Sequence, residues 1–83
     1  MRTYLLVEVE KVPNSNRNLL TTFHGLFDSM DAAKQGLRIA AEALMVNPQI
    51  GERVARGRLA EDPRGPEISI YIQEFSQFNK VII

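Results

Sequence analysis

"QIGERVARGRLAEDPRGP", residues 49–66, admits two readings, and the number of strands turns on the choice. In one, Pro48 opens a short helix capped by Asn47 and closed by Gly57, with Ile50 and Val54 four apart on its face. In the other, residues 53–60 are a third strand that EDPRGP, residues 61–66, turns into a fourth. Ala55 and Gly57 are weak strand formers and count against the second reading, which we nonetheless adopt. The stretch also concentrates Arg53, Arg56, Arg58 and Arg64 without a lysine, in a chain whose formal charge is zero.

The flanking segments are plainer. On the N-terminal side, TYLLVEVEKV, residues 3–12, has the period of two of a strand, and PNSNRN, residues 13–18, is rich in turn formers. LLTTFHGLF, residues 19–27, follows as a second strand, expected to pair antiparallel with the first. Asp28 as N-cap and Asp31 in the first turn predict a helix beginning near Ser29, and Asn47–Pro48 should end it. Its apolar stripe is Met30, Ala33, Leu37, Ala40, Ala41 and Leu44, with alanines that permit close approach to a sheet. Gly36 costs about 1 kcal/mol against alanine inside a helix, which marks it as a candidate close contact. On the C-terminal side, EISIYIQEF, residues 67–75, alternates Ile68, Ile70 and Ile72 with Ser69, Tyr71 and Gln73 as a strand with one core face.

The result is an α+β class chain: an antiparallel sheet of three to four strands with one long helix on one face, in the order β-β-α-(β)-β. Eighty-three residues are expected to form a single domain, 1–83, with a core supplying only a few kcal/mol of net stability. The absence of cysteine excludes a disulfide framework and a thiolate metal site, and points to the cytoplasm, or that of an infected host. The N-terminal apolar run is too short and too polar for a signal peptide, and no stretch reaches the length of a membrane span. A sequence pI near 6.6 argues against a generic nucleic-acid coat or a polybasic membrane binder.

Catalytic parts are sparse. His24 is the sole histidine, and Asp28 is its only nearby candidate partner; no P-loop and no nucleophile elbow is present. Glu8 and Glu10 share a strand face and read as a solvated pair of charges. No cofactor and no metal is expected.

Three surfaces remain. If Leu5, Val7 and Val9 face the helix together with Ile68, Ile70 and Ile72, then Tyr4, Leu6, Tyr71 and Phe75 point away and need cover from elsewhere. The tail, with Phe78, Val81 and Ile83, suggests a terminal edge strand able to pair within the chain, with a second copy or with a partner. The arginine segment, with Arg53, Arg56, Arg58 and Arg64 near Tyr71, is the candidate partner-binding site; its plain alternative is a solvated loop paired with Glu52, Glu61, Asp62 and Glu67.

The expected function is that of a small non-catalytic binding protein, homodimeric through its sheet or terminal strand, that occupies or blocks a larger macromolecule. Size and composition are analogous to a phage or mobile-element inhibitor of a host complex, with no family motif behind the analogy. Two other classes stay open: a nucleotide or nucleic-acid binder using Arg53, Arg56, Arg58 and Tyr71, and a minimal enzyme centred on His24.

Overall fold

The computed structural model describes residues 2–11 and 18–76. Two strands, β1 (Arg2–Lys11) and β2 (Asn18–Phe27), precede a helix, α1 (Met30–Leu44); β3 (Met45–Ile50), β4 (Val54–Leu59) and β5 (Ile68–Ser76) follow it. They form one antiparallel sheet of five strands in the order β2-β1-β5-β4-β3, not three or four.

The fifth strand is β3, which takes over where the helical stripe had been expected to continue. α1 starts one residue later than expected, with Ser29 rather than Asp28 as N-cap: its Oγ accepts from the Ala32 N–H at 3.1 Å. The helix stops at Leu44, because Met45 turns extended while its N–H still donates to the Ala41 carbonyl. Asn47–Pro48 therefore ends nothing; it sits inside β3, in an irregularity between Val46 and Gln49, with Asn47 at φ 46°. Asparagine tolerates this left-handed geometry, and proline is tolerated where a strand lies at the sheet edge.

Residues 54–59 are a strand and not a helix. Gly51 N–H donates to the Val54 carbonyl at 2.8 Å to close the β3–β4 connection, and Ile72 N–H reaches the Arg53 carbonyl at 3.0 Å. In the loop before β5, Gly65 N–H donates to the Asp62 carbonyl at 3.0 Å across Pro63 and Arg64. Asp, Pro and Gly stand at the first, second and fourth positions that a type I turn favours.

α1 leaves one edge strand and enters the other, touching all five strands. All six stripe residues meet the core: Ala33, Leu37 and Ala41 are buried in it, and Met30, Ala40 and Leu44 pack against it. The close contact at Gly36 is with the ring of Phe27, whose Cζ would lie 2.5 Å from a Cβ built on that glycine.

One face assignment is reversed. Tyr4 and Leu6 lie beneath the helix with Ile68, Ile70 and Ile72, and Leu6 is 1% exposed. The register sets Leu6 opposite Ile72 and Tyr4 opposite Glu74, so strand parity carries Leu5, Val7 and Val9 to the other side, hereafter the reverse face. β1 is apolar at both parities, and only its pairing with β5 decides between them.

Leu6→Ala should destabilise the chain by about 2–5 kcal/mol, and Leu5→Ala, from a half-buried position on the reverse face, by clearly less; urea unfolding of the two variants reads the order. Gly36→Ala should be destabilising by about 1–3 kcal/mol through overpacking against Phe27, despite the gain in helix propensity. A stabilised Gly36→Ala protein would show that the ring yields freely.

Candidate functional site

β4 settles where the arginines go. Ala55 and Gly57 lie opposite Ile70 and Ile68 of β5, and Ala55 is fully buried in the core beneath α1, so Arg56 and Arg58 project onto the reverse face. Arg56 stands opposite Gln49 of β3 and Ser69 of β5, and Arg58 opposite Val46. Both are exposed. They border a recess of about 370 Å³ whose other walls include Val46, Gln49, Pro63 and Glu67.

Arg58 is tethered: its Nε donates to the Gly65 carbonyl at 3.1 Å, which fixes the guanidinium against the 60–67 loop. The side chains of Arg53, Arg56 and Arg64 are exposed and make no hydrogen bond or ion pair among the described residues. The expected neutralisation by Glu52, Glu61, Asp62 and Glu67 does not take place there. Glu52 is instead bound by Lys34 Nζ at 2.8 Å, across from α1, and that hydrogen bond holds its carboxyl below the ordinary range. Glu74 is held by Arg2, also at 2.8 Å.

The arginines share their face with hydrocarbon. Tyr71 is half-buried between Val54 and Val7, one step along β5 from the Ser69–Arg56 pair. Phe23 continues that row on β2, Leu26 lies opposite Leu5, and Phe75 opposite Thr3. Phe23, Leu26 and Phe75 are 58%, 68% and 45% exposed, large values for aromatic and aliphatic side chains. Val7 and Val9 on the same face are buried.

Among the residues expected to form a partner or dimer face, Phe75 is therefore in place, while Tyr4 and Leu6 belong to the core. Phe78, Val81 and Ile83 lie outside the described residues. Arg56, Arg58 and Tyr71 come together on the reverse face; Arg53 and Arg64 stand in the turns before and after β4.

His24 is not partnered by Asp28. Its Nε2 lies 2.7 Å from Oε1 of Glu8, sixteen residues away in sequence and next door in the sheet. The pairing of Leu6 with Gly25 and of Val7 with Phe23 leaves His24 as an extra residue in β2, a bulge that re-aims its side chain. Glu8 is thus not the solvated carboxylate its strand suggested: it is 7% exposed and on the helix side of β1. Among the described residues no group of three or more histidine, cysteine or carboxylate side chains is arranged to hold a metal ion, and no helix is long and apolar enough to cross a membrane.

No protein-family model, no curated protein and no solved structure matches this chain.

Removing one member of a buried hydrogen-bonded pair costs about 1–3 kcal/mol. His24→Ala should lose stability in that range in urea unfolding near neutral pH, and a double-mutant cycle with Glu8→Gln should return a coupling above about 0.5 kcal/mol. Additive effects would mean that the 2.7 Å contact contributes nothing.

Proposed function

We propose that this chain is a small non-catalytic binding protein that acts by occupying or blocking a larger macromolecule, with the reverse face of the sheet as its contact surface. The observation that carries the reading is the continuity of two features on that face. Phe23, Leu26 and Phe75 are exposed beside Tyr71, and Arg56 and Arg58 stand at its β4 end free of carboxylate partners among the described residues. Aromatic residues and arginine are the types enriched at protein interfaces and at their energetic centres.

The dimensions suit such a role. Five strands about 4.8 Å apart and roughly 20–33 Å long span on the order of 500–800 Å², less the part where Val7 and Val9 are buried, which is at or below the ~800 Å² that one partner contributes to a standard interface. A protein partner fits better than a polyanion. The chain carries no net charge, Glu67 lines the same recess as the arginines, and Phe23, Leu26 and Phe75 expose hydrocarbon on the same face. In this reading the setting is the cytoplasm of the cell or of an infected host, the action is inhibitory as in a phage or mobile-element protein, and His24 with Glu8 is a structural pair. The arginine-lined recess also favours one other reading, a nucleotide or nucleic-acid binder through Arg53, Arg56, Arg58 and Tyr71.

Once a partner is captured and purified, Arg56→Ala/Arg58→Ala should weaken binding by at least about tenfold, or 1.4 kcal/mol, with unfolding unchanged because both side chains are exposed. Unchanged affinity removes this surface from the account. Salt separates the two readings: phosphate contacts make log affinity fall steeply and linearly with log salt, whereas an aromatic-anchored interface responds mainly in its on-rate.

A further inference from the structure

The sheet has two edges, and they are built differently. β3 is six residues long, contains Pro48, which has no N–H to offer, and is broken by the irregularity around left-handed Asn47. Short length, proline and local distortion are the devices that keep an edge from pairing with another chain. β2 shares only the last of these devices, its pairing with β1 being bulged at two points; it is ten residues long, NLLTTFHGLF, with no proline and no lysine, arginine, aspartate or glutamate. Its one titratable side chain, His24, is turned toward Glu8 on the neighbouring strand.

Apolar exposure is concentrated at the same edge. Of the six large hydrophobic residues exposed among the described ones, Leu19, Phe23 and Leu26 are on β2; Ile39, Val46 and Phe75 are scattered over α1, β3 and β5.

We infer that β2 is a self-pairing edge, along which two copies of the chain join antiparallel into one continuous ten-stranded sheet. Self-pairing is what an uncharged strand favours: a two-fold axis brings identical residues together, and a strand without formal charges meets its copy without repulsion. Face parity then selects the register. Phe23 and Leu26 belong to the reverse face and Leu19 and Phe27 to the helix side, as their partners on β1 show. An axis through Phe23 sets Phe23 against its own copy and Leu19 against Phe27 of the second chain, matching both faces. β2 carries two irregularities, at His24 and between Thr22 and Leu20, which increase local twist around the axis and confine the ladder to the short runs outside them, residues 18–20 and 25–27.

A two-fold axis perpendicular to the sheet puts both helices on one side and both reverse faces on the other. The two Phe23–Leu26 patches merge at the centre, and the two arginine recesses stand at the far ends, beside β3. The inference goes beyond the proposed function and does not depend on it: the pairing edge is argued from β2 alone, without the arginines.

Sedimentation velocity of the full chain at about 100 µM, well above a micromolar dissociation constant, should give a particle of twice 9.4 kDa. Leu26→Lys and Leu19→Lys, exposed on opposite faces of the strand, should each shift it to monomer while far-UV circular dichroism stays unchanged. Amides of residues 18–27 should exchange more slowly in concentrated than in dilute samples. Phe75→Lys and Arg56→Ala/Arg58→Ala, away from β2, should leave the dimer intact. A monomer at that concentration overturns the inference, as does a dimer broken by Phe75→Lys and not by the β2 substitutions. A monomeric chain that still loses its partner in the arginine variant sinks the self-pairing alone; a β2-dependent dimer indifferent to that variant leaves the pairing and removes the arginine surface.

Discussion

α1 leaves β2 at Phe27 and delivers the chain to β3 at Met45, so its fifteen residues have to cross the sheet from one edge to the other. That path is possible only if the helix lies close, and the contact line is made of small residues: Ala33 and Ala41 on α1 and Ala55 on β4 have no exposed surface, and Gly36 rests on the ring of Phe27. The crossing gives the molecule its sidedness. Every large core side chain at the centre, Leu6, Leu37, Ile68 and Ile70, is enclosed between helix and sheet. The reverse face receives no such cover from α1, and it collects the exposed side chains Phe23, Leu26, Phe75, Arg56 and Arg58.

The same crossing explains why a carboxylate is tolerated on the helix side of β1. Glu8 stands in the row of Ala55, Ile70 and Thr22, on the face that α1 protects. An isolated buried carboxylate would be strongly unfavourable, and the bulge in β2 supplies the partner by turning His24 onto it at 2.7 Å. Without the extra residue the strand parity at that point would be different, and the imidazole would not be directed at Glu8. A local irregularity of the edge strand thus brings a histidine onto a carboxylate on the covered side of the sheet.

How much of this could be read from the amino acids alone depends on how unequal the two faces of each element are. β5 was legible, residue by residue, because its isoleucines alternate with serine, tyrosine and glutamine. α1 was legible for the same reason at a period of 3.6, and the parity of β4 put Arg56 and Arg58 together on one face. β1 has large apolar residues at both parities, Tyr4 and Leu6 on one and Leu5, Val7 and Val9 on the other, so nothing local separates inside from outside; only the pairing with β5 puts Tyr4 and Leu6 beneath the helix. β3 was hidden because Met45 and Val46 prolong the helical stripe and Asn47–Pro48 imitates a helix stop. The helix ends at Leu44, and Met45 joins the core from a strand opposite Leu59. The Glu8–His24 pair had no local signal: it depends on a bulge and on a contact sixteen residues apart.

Zero formal charge concealed a segregation of charges that only the fold makes visible. Glu52, beside Arg53 in sequence, is taken up by Lys34 on α1, and Glu74 on β5 engages Arg2 on β1. Glu67 lines the same recess yet forms no ion pair with Arg56 or Arg58 among the described residues. What holds Arg58 in place is a backbone carbonyl, from Gly65, at the end of the Asp62–Gly65 turn. A hydrogen bond to a neutral carbonyl orients a guanidinium without cancelling its charge. The loop therefore presents Arg58 as an oriented cation, and β4 places Arg56 beside it on the same face; under the proposed function, a partner surface with carboxylates around a hydrophobic centre would satisfy both the cations and the hydrocarbon at once.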